Sequence, residues 1–288
     1  MKLFGKFRIK PVKPARLIVY IFLIALVTFT AMPLVYLVSS AFKPLYEIFA
    51  FPPKYFVRNP TLNNFTALLS AMGTSSVPFT RYFFNSVLVT LFTVFLAVFV
   101  CSMAAYSMTK CRLPFKRGWF NLVVSAMMFS APAMQIASYL IINELGMINT
   151  YFALVLPAIA GSMYLFLMKQ NVELIPDALI ESAKMDGCNT FRIYRSMILP
   201  LSKPVIATVI VFAFTASWND ATGPMLYINI DALKTLPLAL SMLQGGAGTV
   251  ARSGAMMAAS LLTTLPVIIV FVFMQSKVIS TMAHSGIK

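Results

Sequence analysis

Acidic side chains are scarce: eight Asp and Glu stand against 23 Lys and Arg, with one histidine and three cysteines in 288 residues. Each shortage excludes something. A hydrolase working within a membrane needs a nucleophile with a base, or paired acids, and the lone His284 supplies neither. Cys101, Cys111 and Cys188 match no metal-ligand spacing, and their setting argues for reduced thiols without a disulfide. The glycine-rich run 244–254, QGGAGTVARSG, lacks a Gly-Lys-Ser/Thr triplet and a preceding buried strand, so it is no phosphate cradle. No Asp, Glu, Lys or Arg lies between the ends of the long apolar runs, whereas ion-coupled carriers usually depend on such groups. No connecting segment is long enough to form a soluble domain. The chain therefore shows neither a catalytic constellation nor an energy source of its own.

What is abundant is apolar surface. The composition is 59% hydrophobic and 11% charged, with mean hydropathy +0.84, outside the range of soluble domains. About twenty apolar residues cross a bilayer, and six runs qualify: 16–40, 84–108, 119–141, 150–169, 203–219 and 255–276. The first is read as a retained anchor, not a removable signal. The expected fold is an all-α polytopic membrane protein, one transmembrane domain over 1–288 with six spans. Seventeen Lys and Arg, counting Lys169 and Lys203 at the span edges, fall on the side of the N-terminus, 109–118, 170–202 and the C-tail, and six on the other. That bias places both termini and the 170–200 loop in the cytoplasm. The net charge of +15 is explained by basic residues beside spans, which suit anionic lipid; nucleic acid is not expected as a partner.

Between the fourth and fifth runs lies the longest polar interruption of the C-terminal half, Glu181 to Pro200, ESAKMDGCNTFRIYRSMILP. Pro176 and Asp177 suit a helix start. Gly187 suits a left-handed helix end, and Asn189 or Thr190 can cap a second helix carrying Phe191, Tyr194 and Ile198. Small side chains at 178, 182 and 183 would let another body approach the first helix closely. Periodicity alone fits an amphipathic pair lying on the membrane equally well.

The stretch resembles the EAA loop of permease subunits from binding-protein-dependent ABC importers. Glu181, Ala183, Asp186, Gly187, Leu199 and Pro200 stand at matching positions, while Ser182 replaces the usual alanine and Met197 the usual isoleucine or valine. The outer segment 41–83 is similar to that of maltose-type carbohydrate permeases through Lys43, Glu47, Ile48, Pro52, Pro53, Asn64 and Phe65. Trp218, at the end of the fifth run, is well placed for an interfacial aromatic belt. Trp218, Asn219 and Asp220 also match a Trp-Asn-acid triplet of the family that either caps a helix end or lines the solute path. In the family the outer loop corresponding to Gln244, Gly245, Gly246 and Gly248 reaches toward the binding protein, although a plain connector is an equal reading.

The resemblance implies the type I importer permease fold, coupled to the ATPase through the 176–200 loop, with Glu181, Ser182, Ala183, Asp186, Gly187, Leu199 and Pro200 as the coupling residues. It implies a second permease, with which this chain forms a heterodimeric pore, two ATPase subunits, an external sugar-binding protein and an oligosaccharide substrate. No cofactor is expected on this chain; ATP and magnesium belong to the ATPases. The implied location is the bacterial cytoplasmic membrane. A permease for another solute would share the loop but not the matched 43–65 segment, and a proton-coupled carrier would need no ATPase.

Overall fold

The computed structural model describes residues 14–73, 77–244 and 252–285, and no strand occurs among them. In chain order the helices are α1 (Pro14–Ala41), α2 (Leu45–Ile48), α3 (Asn63–Gly73), α4 (Phe79–Lys110), α5 (Lys116–Ala126) and α6 (Ala131–Glu144). They continue with α7 (Tyr151–Ile159), α8 (Ser162–Glu173), α9 (Asp177–Met185) and α10 (Thr190–Ile193). After a π-helical turn, Tyr194–Ile198, come α11 (Leu199–Leu201), α12 (Lys203–Trp218), α13 (Thr222–Tyr227), α14 (Leu236–Gln244) and α15 (Ser253–Ser285).

The solvent for which this chain is built is visible on α4. Its buried face carries Asn85, Ser86, Thr90, Thr93 and Ser102, whereas Phe84, Leu91, Phe92, Phe95 and Phe99 point outward. A water-soluble helix does the reverse. Lipid reverses the rule because apolar side chains gain nothing by leaving hydrocarbon, while polar ones need partners inside. The same logic leaves α1 exposed from Leu17 through Phe29.

Six spans were expected, and six unbroken helices do not appear. Among the described residues, α1, α4 and α15 alone are long and apolar enough to cross a membrane unbroken; counting two bent pairs gives up to five. The run 119–141 divides into α5 and α6 at residues 127–130, where Pro132 opens a new helix because it lacks the N–H an interior position must donate. The run 150–169 bends by 42° between α7 and α8. Gly161 sits at that bend, and a Cβ there would lie 2.5 Å from the Tyr164 ring, so the tight corner needs glycine. The fifth run is α12, meeting the preceding helical segment at 78°.

α4 is the central post, in contact with α7, α8 and α12, while α12 also lies along α15. Apolar burial gathers in three places. One joins α4, α8 and α12 to α9 and α10; one joins α3 and α14 to α15; one joins α4 to α7 and α13.

The outer segment 41–65 folds back as a clasp. Lys43 is buried, its ammonium 4.7 Å above the Tyr36 ring and donating to the Lys54 carbonyl. Glu47 accepts from the backbone N–H groups of Arg58 and Asn59, both at 3.1 Å. Asn64 donates to the carbonyls of Ala41 at 2.9 Å and Lys43 at 2.7 Å, and Phe65 lies against Phe42. The residues that resemble sugar permeases are thus those that tie this segment to itself.

Candidate functional site

The polar stretch after α8 forms a short helical pair held against the α4–α8–α12 core. Pro176 is the cap of α9, one residue earlier than the first helical turn expected of it. At that start, Lys110 from the end of α4 donates to the Ile175 carbonyl and, at 2.7 Å, to the Asp177 carboxylate. This hydrogen bond, and then the ammonium charge, hold the Asp177 carboxyl below its usual pKa.

At the other end Gly187 adopts φ +79°. Its N–H donates to Lys184 O at 3.0 Å, and the Cys188 N–H reaches Ala183 O at 2.9 Å. That pair of bonds is a Schellman cap. The chain then turns so that Asn189 Oδ1 accepts from the Arg192 N–H at 2.8 Å and caps α10. Of the two capping residues proposed from sequence, Asn189 is the one used.

Ile180, Ala183, Ile193, Tyr194 and Ile198 face the core. The Tyr194 hydroxyl pairs with Ser102 Oγ of α4 at 2.7 Å, so the loop is bonded into the bundle through a buried contact. Phe191 does not join this buried face; it is exposed, and the π turn resets the register after Ile193. Ala183 also turns inward, so it is not available to an approaching body, while Ala178 and Ser182 are.

The outward face presents Leu179, Glu181, Ser182, Met185 and Asp186, with Met185 88% exposed. None of the three ion pairs among the described residues involves Glu181, Lys184 or Asp186. This surface combines free charge with an exposed methionine at the end of a rigidly capped helix. Leu199 is half-buried and Pro200 exposed where the chain turns toward α12.

The second group lies at the far end of α12. Trp218 does not face an aromatic belt at the membrane boundary: it is buried, stacked on Phe214 at 5.7 Å, and its indole donates to Thr263 O at 2.8 Å. A ring that finds both apolar neighbours and an acceptor inside the bundle has no need of the interface. Asn219 Nδ2 bonds back to Thr215 O at 2.9 Å, and Asp220 Oδ1 accepts from the N–H groups of Thr222 and Gly223. Both side chains therefore cap helix ends, and both remain exposed. Of the outer-loop residues, Gln244 ends α14, and Gly245, Gly246 and Gly248 lie outside the described residues.

One constellation was missed from the sequence. Asn85, buried in α4, donates to the carbonyls of Ala232 at 2.9 Å and Lys234 at 2.8 Å, and accepts from the Tyr151 hydroxyl at 2.8 Å. Ser86 accepts from the Leu236 N–H at 2.7 Å. Together they anchor the segment leading into α14. An Asn-Ser pair inside an apolar run was the available hint.

An all-helical chain that buries its polar face, bends two of its apolar segments and presents a capped polar helix pair at one end defines a membrane permease subunit. The chain belongs to the family of binding-protein-dependent transport system inner membrane components, whose profile matches residues 97–283. The arabinooligosaccharides transport system permease protein AraQ of Bacillus subtilis is 31% identical over 228 residues, covering 79% of each chain. The polygalacturonan/rhamnogalacturonan permease YtcP of the same organism is 29% identical over 272 residues, 90% of this chain and 93% of YtcP. The diacetylchitobiose uptake permease DasC of Streptomyces coelicolor is 29% identical over 264 residues, 89% and 91% of the two chains. The fold is shared with a bacterial ABC transporter involved in import of the acidic polysaccharide alginate, at TM-score 0.77 and 19% identity over 93% of this chain and 98% of that one. As a family member the chain is a transport subunit of the inner membrane, not an enzyme.

Proposed function

We propose that this chain is one of two permease subunits of an ATP-driven oligosaccharide importer. The observation that carries the substrate class is that relatives matched over most of their length are named for arabinooligosaccharides, polygalacturonan and diacetylchitobiose. Six crossings are read by counting α5–α6 as a broken third span and α7–α8 as a bent fourth, with α12 as the fifth. Non-helical backbone at membrane depth is tolerated where protein covers it. Charge bias puts both termini and α9–α10 in the cytoplasm.

In this reading the outward face of α9, with Glu181, Ser182, Met185 and Asp186, docks on an ATPase chain that holds ATP and magnesium. Closure of the ATPase pair pushes α9 and α10. The push passes through Tyr194 and Ser102 into α4, and the bundle rocks against the second permease, as alternating access requires. An external binding protein delivers the sugar.

The test is purification from native membranes in mild detergent. A second permease, an ATPase and a binding protein should copurify, and an oligosaccharide loaded on the binding protein should stimulate ATP hydrolysis. Transport that persists without any ATPase, or stimulation by a non-sugar solute alone, would overturn the reading.

A further inference from the structure

The turn from α4 into α5, CRLPFKRGW over residues 111–119, carries more charge than the chain itself neutralises. With Lys110, four of the eight residues 110–117 are cations, and no acid occurs between Glu47 and Glu144. Lys110 is almost buried and is taken up by Asp177 at the start of α9. Arg112, Lys116 and Arg117 are exposed, and none of the three ion pairs among the described residues includes them. Asp177 has little left to give them. Its carboxyl is held low by Lys110, with Lys116 and Lys184 adding to the positive charge around it.

The same turn presents an apolar stripe. Phe115 is left-handed, at φ +55°, a conformation costly for an L-residue. Its carbonyl starts α5 by accepting from the Trp119 N–H at 3.1 Å. Yet Phe115 is 87% exposed, and Trp119 and Leu122, which follow it at helical spacing, are 54% and 61% exposed. α5 meets α8 elsewhere, through Phe120 stacked on Phe166, with Lys169 4.2 Å over the Phe120 ring. Beyond α5 the exposed apolar surface continues into Met128 and Phe129.

One end of this surface therefore runs on along an apolar segment, and the other carries three unpaired cations. That is the order of a membrane boundary: hydrocarbon, an interfacial tryptophan, then phosphate. Four or more Lys and Arg clustered at the cytoplasmic end of a span favour anionic headgroups. A water-soluble acidic partner would match the cations but not the stripe leading away from them. We propose that the α4–α5 turn binds an anionic phospholipid of the cytoplasmic leaflet, with Arg112, Lys116 and Arg117 on its headgroup and Phe115, Trp119 and Leu122 among its acyl chains. The leaflet rests on the orientation read from charge bias; the site is independent of the transported solute.

Trp119 reports on this site, because the chain has two tryptophans and the other, Trp218, is buried. The experiment reconstitutes the whole complex in phosphatidylcholine vesicles with a minor fraction of brominated lipid, which quenches a tryptophan it touches. Subtracting the emission of Trp119→Phe complexes leaves the Trp119 signal whatever the partner subunits contain. Brominated phosphatidylglycerol should quench it at a mole fraction about tenfold or more below that needed with brominated phosphatidylcholine, and high salt should weaken the preference. Each cation near anionic lipid is worth about a fivefold preference. Lys116→Gln should therefore lower it about fivefold and Lys116→Arg should keep it. Glutamine at 112, 116 and 117 together should erase it while the protein stays in the membrane.

Equal quenching by the two lipids would leave an apolar anchor without a headgroup site and overturn the proposal. So would a signal that neither lipid quenches and that changes when the ATPase is stripped away, which would make the turn a protein contact. Outside labelling of Lys184→Cys would overturn the leaflet assigned here. Selective quenching in complexes that import no sugar would uphold the lipid site while the importer reading fell alone.

Discussion

Replacing Gly187 isolates backbone conformation from everything else at the proposed ATPase contact. The residue sits at φ +79°, and a Cβ built there would meet nothing within 4 Å. No collision is therefore available to explain an effect. What a side chain meets is the left-handed penalty, about 1–2 kcal/mol for an ordinary L-residue. Since 1.4 kcal/mol is about a tenfold change in an equilibrium, alanine shifts the capped-to-frayed ratio of the helix end by about one order of magnitude. Asparagine visits this region more readily than most residues, and β-branched valine less readily than alanine.

The Cys188–Ala183 bond sets the path into the Asn189 cap, so fraying at Gly187 loosens both helices at once. Expected sugar uptake falls in the order glycine, asparagine, alanine, valine, with Gly187→Val abolishing transport while the protein stays in the membrane. The valine complex should either lose its ATPases on purification or hydrolyse ATP without transport. Uptake in whole cells, immunoblots of membranes and ATPase assays read these three quantities. Wild-type transport by the valine variant refutes the reasoning. So does an order in which asparagine is as harmful as valine, because that would make bulk, not φ, the cause.

Glu181→Lys should abolish uptake without loss of membrane protein, since Glu181 makes no ion pair among the described residues and the reversed charge would meet only the docking partner; normal uptake would leave α9 a plain surface helix. A membrane-impermeant thiol reagent applied to sealed cells should label Asn63→Cys but not Lys184→Cys, and labelling of the latter would invert the orientation. Trp218→Ala should lower stability by about 3–5 kcal/mol and Trp218→Phe by about 1 kcal/mol for the lost bond to Thr263, both read by thermal unfolding in detergent. The Asp177 carboxyl is held below its usual pKa by Lys110, so its contribution is present above the ordinary carboxylate range and lost as pH falls through the folded-state value. Asp177→Asn should therefore melt earlier than wild type at neutral pH, with the difference vanishing in acid; a gap independent of pH would mean the ion pair is not its source.

The local chemistry of the α9–α10 stretch was legible because it depends on residues close in sequence. Gly187 and Asn189 perform at their positions what their backbone preferences require. The breaks were legible as residues but not as breaks. Pro132 and Gly161 stand in plain view within apolar runs, yet hydropathy averages over a window and is blind to a missing N–H or a forbidden Cβ. Trp218 was misplaced because a boundary position in sequence does not say whether the indole finds its acceptor in water or on α15. The Tyr194–Ser102 and Asn85–Tyr151 bonds join residues distant along the chain, and no local pattern announces them.

The lengths of the helices carry a consequence for the membrane itself. At 1.5 Å per residue, α4 and α15, with 32 and 33 residues, are about 48 and 50 Å long, whereas α12, with 16, is about 24 Å. A hydrocarbon layer is about 30 Å thick. The long helices must tilt or protrude, and the short one is too short to bridge the layer upright, so no single bilayer thickness suits all of them. Mismatch is worth fractions of a kcal/mol per Å, comparable to the balance between two working orientations of a bundle. Lipid chain length is thereby an input to this permease, and vesicles made from shorter or longer acyl chains should run it at different speeds with the same sugar and the same ATP.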